Sequence, residues 1–149
     1  MIDLGVVWQS LQNLNNQHDF ILLEGIGGLG TPVTNELTVA DLASSWGLDC
    51  VLVVPVKLGA IAQAVANAAL ARQLKLKLKG IILSCVSPVS EEQLADWTPI
   101  ELIESLTNLP VVGTVPYLDS ITDVKYLAKV ASALNLERIF PKALKMPLV

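Results

Sequence analysis

The chain has 149 residues, of which 52% are hydrophobic, 16% charged and 5% aromatic. This length fits one domain with a real hydrophobic core, and the aliphatic composition is typical of α/β proteins whose parallel strands are covered on both faces. The net charge of -4 offers no broad basic surface, so we expect neither a nucleic-acid nor a membrane partner.

Signals for export and for disulfide bonds are missing from the sequence. No run approaches the ~20 apolar residues of a membrane-spanning helix, and the first residues do not combine a basic segment with an apolar export signal. Cys50 and Cys85 lie inside or beside aliphatic runs, which favours buried free thiols, and they have no metal-binding spacing. We therefore expect a cytoplasmic protein.

The first half of the chain alternates between helical and strand periodicity. A helix is predicted where apolar residues recur at helical spacing, at Leu4, Val7, Trp8, Leu11 and Leu14. The run FILLE, Phe20 to Glu24, is too short for a helix and predicts a buried strand. A second helix is predicted in VADLASSWG, ending at Gly47, and a second buried strand in CVLVVPV.

The second half continues the same alternation. A helix is predicted in AIAQAVANAALARQLKL, a strand in GIILSCV, helices in SEEQLADW and PIELIESL, a strand in PVVGTVP and a last helix in ITDVKYLAKVASAL. Four strands alternating with helices imply right-handed parallel crossovers. The sequence thus predicts a single α/β domain over residues 1–149, with an open, mostly parallel sheet between helices.

In such sheets ligands bind at the carboxyl ends of the strands. At the first of these ends, Glu24 directly follows an apolar run and precedes Gly25, Gly27, Gly28 and Gly30. A carboxylate beside a glycine-rich loop is suited to present an oxygen ligand next to phosphate groups. The alternative is a strand-end glutamate that only meets solvent.

A second candidate site follows the strand CVLVVPV. Gly59 precedes a helix whose first turn contains no carboxylate, so its free N–H groups and positive dipole end are suited to bind an anion. The alternative is that Gly59 is only a turn residue.

Taken in order, five segments resemble the dethiobiotin synthetase family, the ATP-dependent ring-closing carboxylases of biotin synthesis. The segments are EGIGGLGTPV, ADLA, VLVVPVKLGAIAQA, GIILSCVSP and GTVPYLD, and the resemblance extends from about Phe20 to Leu136. In the family the first segment reads valine or leucine, then EGAGG and a TP dipeptide, and Thr31-Pro32 occupy that place here.

This resemblance implies a three-layer, P-loop NTPase-like fold and a specific reaction. The family carboxylates one amino group of 7,8-diaminononanoate with CO2 or bicarbonate, activates the carbamate with the γ-phosphate of ATP, and closes a cyclic urea. ADP and phosphate are released, and the cofactors are ATP and Mg²⁺.

The resemblance also implies roles for residues at matching positions. Glu24 matches the acidic Mg²⁺ ligand, and the backbone of Gly25, Ile26 and Gly27 matches the part that lies against the γ-phosphate. The carboxylate tail of the diamine is bound in the partner subunit of a homodimer, at positions matching Gly59, Ala60, Ile61 and Ala62. The adenine pocket maps to Ser84, Cys85, Pro116, Tyr117, Leu118 and Asp123.

Two departures from the family pattern affect the assignment of the family's residue roles to this chain. Ser84 stands where the family commonly has an asparagine that reads the edge of adenine. This change is expected either to relax base selectivity or to weaken nucleotide binding by about 1–3 kcal/mol. No G-x-x-x-x-G-K-S/T pattern occurs in the 149 residues, whereas the family begins with a strand and such a phosphate loop. The sequence therefore looks like the carboxyl-terminal two thirds of the enzyme, without the first strand and phosphate loop.

Two hypotheses from different classes follow. In the first, the chain is part of a catalytic dethiobiotin synthetase and is inactive alone. In the second, it is a binding or regulatory descendant that kept the fold and the dimer surface but lost phosphoryl transfer. A related ATPase branch with the same sheet, such as the partitioning or cobyrinate-amidating proteins, is a weaker third.

Overall fold

The structure of the protein is a computed structural model, which describes residues 2–139. Apart from the strand predicted at Phe20–Glu24, its helices and strands follow the predicted order. They are α1 (Leu4–Asn15), α2 (Val39–Ser45), β1 (Asp49–Pro55), α3 (Ala60–Gln73), β2 (Lys77–Ser84), α4 (Glu91–Trp97), α5 (Ile100–Thr107), β3 (Val111–Val115), α6 (Val124–Ser132) and a 3-10 turn at Leu136–Arg138.

The three strands form one parallel sheet in the order β1-β2-β3. Pro55 pairs with Ser84, and Ser84 pairs with Val115, so all three strands end at the same edge. The α/β class and the parallel connections are therefore confirmed.

One face of the sheet carries the main hydrophobic core. Leu52 and Val54 of β1 and Ile81 and Leu83 of β2 pack there against Ile103 of α5. Ala60, Ala64 and Ala68 of α3 are all at most 1% exposed, and their spacing of four residues places them on one helix face. The small side chains let α3 lie close to the sheet.

The opposite face is less completely covered. Ile139 lies against Gly80, where a Cβ atom would be 3.0 Å from the Ile139 Cγ2 atom. Val53, whose side chain points to the face opposite Leu52 and Val54, is 56% exposed. None of the helices within residues 2–139 combines the length and apolar character needed to cross a bilayer.

The strand predicted at Phe20–Glu24 is wrong. The structure gives this segment no regular secondary structure, and Leu22 and Leu23 are 80% and 51% exposed instead of buried. An apolar run becomes a strand only where a neighbouring strand offers backbone partners. The three described strands pair only with one another, so the sheet has three strands in residues 2–139 where four were predicted.

Core packing predicts that alanine substitutions at two neighbouring residues of α5 will change the free energy of unfolding by different amounts. Ile103 is fully buried, whereas Leu102 is 45% exposed. Because a cavity forms only at the buried site, Ile103→Ala is expected to lower the free energy of unfolding by about 2–5 kcal/mol. Leu102→Ala is expected to change it by less than about 1 kcal/mol. Urea unfolding followed by circular dichroism measures both, and equal losses would contradict this assignment of the core.

Candidate functional site

The glycine-rich loop begins directly after Glu24. The Glu24 side chain is exposed, and its carboxylate makes no hydrogen bond or ion pair with any described residue. The backbone N–H groups of Gly25, Ile26 and Gly27 likewise donate to no described residue. One carboxylate and three backbone donors are thus available to a ligand along four consecutive residues.

The geometry of this loop requires glycine at one position and leaves little room for a side chain at a second. Gly27 has φ +73°, and a Cβ atom on it would collide with the hydroxyl group of Thr31. A Cβ atom on Gly25 would lie 3.2 Å from the Cγ1 atom of Val39 at the start of α2. Glycine at these two positions lets the backbone turn toward α2 without a steric clash.

Beyond Gly27 the loop is fixed to α2 by backbone hydrogen bonds. The N–H of Val39 donates to the Thr31 carbonyl at 2.9 Å, and the N–H of Ala40 donates to the Leu29 carbonyl at 3.0 Å. The first turn of α2 has its own capping box, in which Asp41 accepts from the Thr38 N–H at 2.8 Å. The Thr38 hydroxyl and backbone N–H both lower the pKa of Asp41, so this carboxylate stays ionised.

A side chain of α3 fixes the same loop from the other side. The Oδ1 atom of Asn67 accepts from the Leu29 N–H at 2.8 Å. Leu29 is 8% exposed and packs in a second core cluster with Ala40, Ala43, Ala71 and Leu76. Sequence reasoning missed Asn67, although one signal was present: asparagine is unfavourable inside a helix, and this one interrupts an alanine-rich run.

The amino terminus of α3 has the open geometry expected of an anion site. Gly59 caps it with φ +90°, no side chain bonds to the cap, and no acidic residue lies in the first turn. The N–H of Ala60 donates to the Lys57 carbonyl, but the N–H groups of Ile61 and Ala62 have no partner among the described residues. Ala60 is buried, Ile61 packs on the core and Ala62 is exposed.

Between the carboxyl ends of β2 and β3 and helix α6 lies a cavity of about 740 Å³. Three residues predicted for the adenine pocket line it, namely Cys85, Pro116 and Tyr117. Helix α6 adds Tyr126 and Lys129, which the sequence did not indicate. A cavity of this size is typical of sites for small molecules.

The other three predicted adenine contacts, Ser84, Leu118 and Asp123, are not among the described residues that line this cavity. The Ser84 carbonyl accepts from the Val56 N–H at 2.8 Å, and the N–H of the next residue, Cys85, donates to the Val115 carbonyl at 2.9 Å. Asp123 caps α6, where its Oδ1 atom accepts from the N–H groups of Lys125 and Tyr126 at 3.0 and 3.1 Å.

The cysteine that lines the cavity is a free thiol. Cys50 and Cys85 are both free thiols; Cys85 is buried, as predicted, whereas Cys50 is only half-buried. Burial raises the pKa of Cys85, against a smaller lowering by a hydrogen bond from the Tyr117 backbone. Cys85 is therefore protonated at neutral pH and behaves as a small apolar wall of the cavity.

Within residues 2–139 no three His, Cys, Asp or Glu side chains cluster closely enough to form a metal site of their own. Mg²⁺ does not need such a cluster, because it is commonly held by one or two carboxylates together with phosphate oxygens and water. The unpartnered carboxylate of Glu24, next to free backbone donors, fits that mode of binding.

Residues 1–125 match the protein family described as AAA domain. The chain is 61% identical over 140 residues to the ATP-dependent dethiobiotin synthetase BioD of Gloeothece citriformis, 60% identical over 139 residues to that of Crocosphaera subtropica, and 52% identical over 140 residues to that of Synechocystis sp.. These matches cover 94%, 93% and 93% of this chain.

The same matches cover 62%, 63% and 59% of the relatives, so the chain spans about three fifths of the length of the curated relatives it matches. The resemblance to dethiobiotin synthetases is confirmed by these identities. The AAA domain match confirms the P-loop NTPase-like fold class. By its sequence match over residues 1–125 and its parallel α/β sheet, the chain belongs to the AAA domain family.

Proposed function

We propose that the chain forms the metal-facing and diamine-facing part of an ATP-dependent dethiobiotin synthetase. The observation that carries this proposal is the unpartnered Glu24 carboxylate followed by three free N–H groups, at the position where the family binds Mg²⁺ and the γ-phosphate. High identity to three relatives with that name supports it. The substrates are 7,8-diaminononanoate, CO2 or bicarbonate, and ATP, and the products are dethiobiotin, ADP and phosphate.

Glu24 and the glycine-rich loop serve the phosphate end of the nucleotide. The carboxylate supplies an oxygen ligand to Mg²⁺, which neutralises charge on the phosphates when it is bound. The N–H groups of Gly25, Ile26 and Gly27 donate to γ-phosphate oxygens. Donors that are already in place before the reaction need no reorganisation as charge develops.

The amino terminus of α3 serves the carboxylate tail of the diamine. The free N–H groups of Ile61 and Ala62 and the positive end of the helix dipole attract an anion. Gly59 leaves the approach open, since nothing lies within 4 Å of the place where its Cβ atom would be. In the family this site faces the partner subunit, so the proposal includes a homodimer.

The cavity between β2, β3 and α6 serves the adenine base. Cys85 and Pro116 provide apolar walls and Tyr117 an aromatic surface. We keep Ser84, Leu118 and Asp123 as proposed neighbours of the base, with the hydroxyl of Ser84 making no hydrogen bond to described residues. Use of ATP is consistent with the cytoplasmic location expected from the sequence.

The 149 residues alone are expected to make no dethiobiotin. Phosphoryl transfer depends on positioning and charge neutralisation of the γ-phosphate, and these residues contain no Gly-Lys-Ser/Thr phosphate loop. Loss of one comparable donor costs other enzymes about 2.7–4 kcal/mol. The assay supplies diaminononanoate, bicarbonate, ATP and Mg²⁺ and follows dethiobiotin by mass spectrometry.

The comparison protein in this assay is the same chain, extended at its amino end by a strand and a Gly-Lys-Thr loop. Activity only in the extended chain supports the proposal. Product from the 149 residues alone would overturn this prediction, and an inactive extended chain that still binds nucleotide would favour the regulatory descendant.

The extended chain also tests the role of Glu24. Because Glu24 is proposed to contact the metal, Glu24→Gln is expected to weaken ATP binding at least about tenfold with Mg²⁺ and much less without it. Glu36→Gln removes the same charge from an exposed residue before α2 and is the control. Isothermal titration calorimetry measures the affinities, and equal losses with and without Mg²⁺ would show that Glu24 is only a solvent-facing carboxylate.

The chain is expected to associate as a homodimer. Leu58, which is 82% exposed, directly precedes Gly59 and gives the proposed diamine site an apolar border suited to a partner subunit. Light scattering at micromolar concentration is expected to give twice the 16.0 kDa chain mass. Leu58→Asp is expected to shift the chain toward monomer more than Ile121→Asp, at a residue 74% exposed just before α6. A monomer at all concentrations would contradict the proposal.

A further inference from the structure

Asn67 connects the glycine-rich loop to the middle of α3. Its Oδ1 atom accepts from the Leu29 N–H at 2.8 Å, and its Nδ2 atom donates to the Gln63 carbonyl at 2.8 Å. The second bond, one turn back on the same helix, fixes which end of the amide faces the loop. Asn67 is partly buried, so its bond to the loop competes less with water than a surface bond does.

The loop is shaped to accept this side chain. A Cβ atom on Gly28 would lie 3.2 Å from the Asn67 Oδ1 atom, which is closer than ordinary contact, so glycine permits the approach. The next residue, Leu29, is 8% exposed and packs near Ala71 of the same helix. A polar and an apolar contact therefore hold the loop to α3 at adjacent residues.

This attachment lies next to donors that have no partner of their own. The N–H groups of Gly25, Ile26 and Gly27 bond to no described residue, and the loop around them is open and exposed. Without a nearby attachment such a segment samples many conformations, and ordering it reduces the affinity for any ligand.

We infer that Asn67 is a positioning residue, which holds the Gly28–Leu29 peptide on α3 and thereby orients the phosphate-facing N–H groups of residues 25–27. The inference rests on the proposed function of that loop. Asn67 lies seven residues after Ala60, about 10 Å along the helix axis, so α3 carries both the loop attachment and the proposed diamine site. One rigid helix thus sets the distance between the two proposed substrate sites.

The test uses the 149-residue chain and nuclear magnetic resonance. Asn67→Ala removes the acceptor and is expected to speed hydrogen exchange of the Leu29 amide about tenfold. It is also expected to lower the order parameters of the amides at residues 25–28. Gln73→Ala, at an exposed position of α3, is expected to change neither.

Asn67→Asp separates positioning from a general loss of structure. The new side chain loses the donor to the Gln63 carbonyl. Because its carboxylate still accepts from the Leu29 N–H, loop order is expected to return near neutral pH. The Leu29 amide resonance is expected to shift as the new carboxyl group titrates, whereas wild type and Gln73→Glu show no such shift. Unchanged loop order in Asn67→Ala, or no rescue in Asn67→Asp, would overturn the inference.

Titration with MgATP separates this inference from the proposed function, and it uses the chain extended by the strand and Gly-Lys-Thr loop, with or without the Asn67 variants, because the 149 residues contain no such loop. If wild type binds MgATP, Asn67→Ala is expected to weaken binding about tenfold and Asn67→Asp by less. If Asn67 orders the loop but MgATP does not shift the amide resonances of residues 25–27, the attachment role of Asn67 is confirmed and the proposed phosphate role of the loop is wrong. If MgATP binds equally to wild type and Asn67→Ala, the positioning role is wrong.

Discussion

The parallel register of the three strands is the constraint on which the rest of the site depends. The ladder continues past the end of β1 through the bond from the Val56 N–H to the Ser84 carbonyl, and past the end of β2 through the bond from Cys85 to Val115. The chain therefore leaves β1, β2 and β3 side by side. Helix α3 begins at this edge, and the cavity beside α6 opens there, without any side chain being needed to bring them together.

Small residues on α3 allow the elements around the candidate site to pack closely together. The buried alanines of α3 allow the helix to lie against the sheet with one face and, through Ala71, against α2 and the glycine-rich loop with another. A larger residue at these positions would push α3 away from either neighbour. The proposed nucleotide and diamine sites consequently depend on the same tightly packed helix.

The helices and strands could be predicted because burial of one face of an element requires apolar residues at a regular spacing in the sequence. Continuous aliphatic runs gave β1, β2 and β3, and alanine-rich or capped segments gave the helices. The run at Phe20–Glu24 has the same apolar signature, but strand formation depends on a partner and not on composition alone. Periodicity describes one segment at a time, so it does not report which segments find a neighbour.

The candidate site was predictable only in part, for a related reason. Glu24, Cys85 and Tyr117 stand at predicted strand ends and Gly59 stands before a predicted helix, so each could be singled out from its position in the chain. Asn67, Tyr126 and Lys129 reach the loop or the cavity from the interior of helices, and their relevance depends on tertiary packing. A helix propensity scale marks Asn67 as unusual but does not show what it binds.

The cap of α6 bears on how ligand-binding data at Asp123 are to be interpreted. The same carboxylate oxygen accepts from two backbone N–H groups, one of which belongs to Tyr126 in the cavity wall. Removing the carboxylate would loosen the first turn of α6 and with it the tyrosine that the turn carries. A drop in ligand affinity after such a change is expected from the loss of this wall as well as from the loss of a direct contact, and a variant that preserves the cap, such as Asp123→Asn, distinguishes the two.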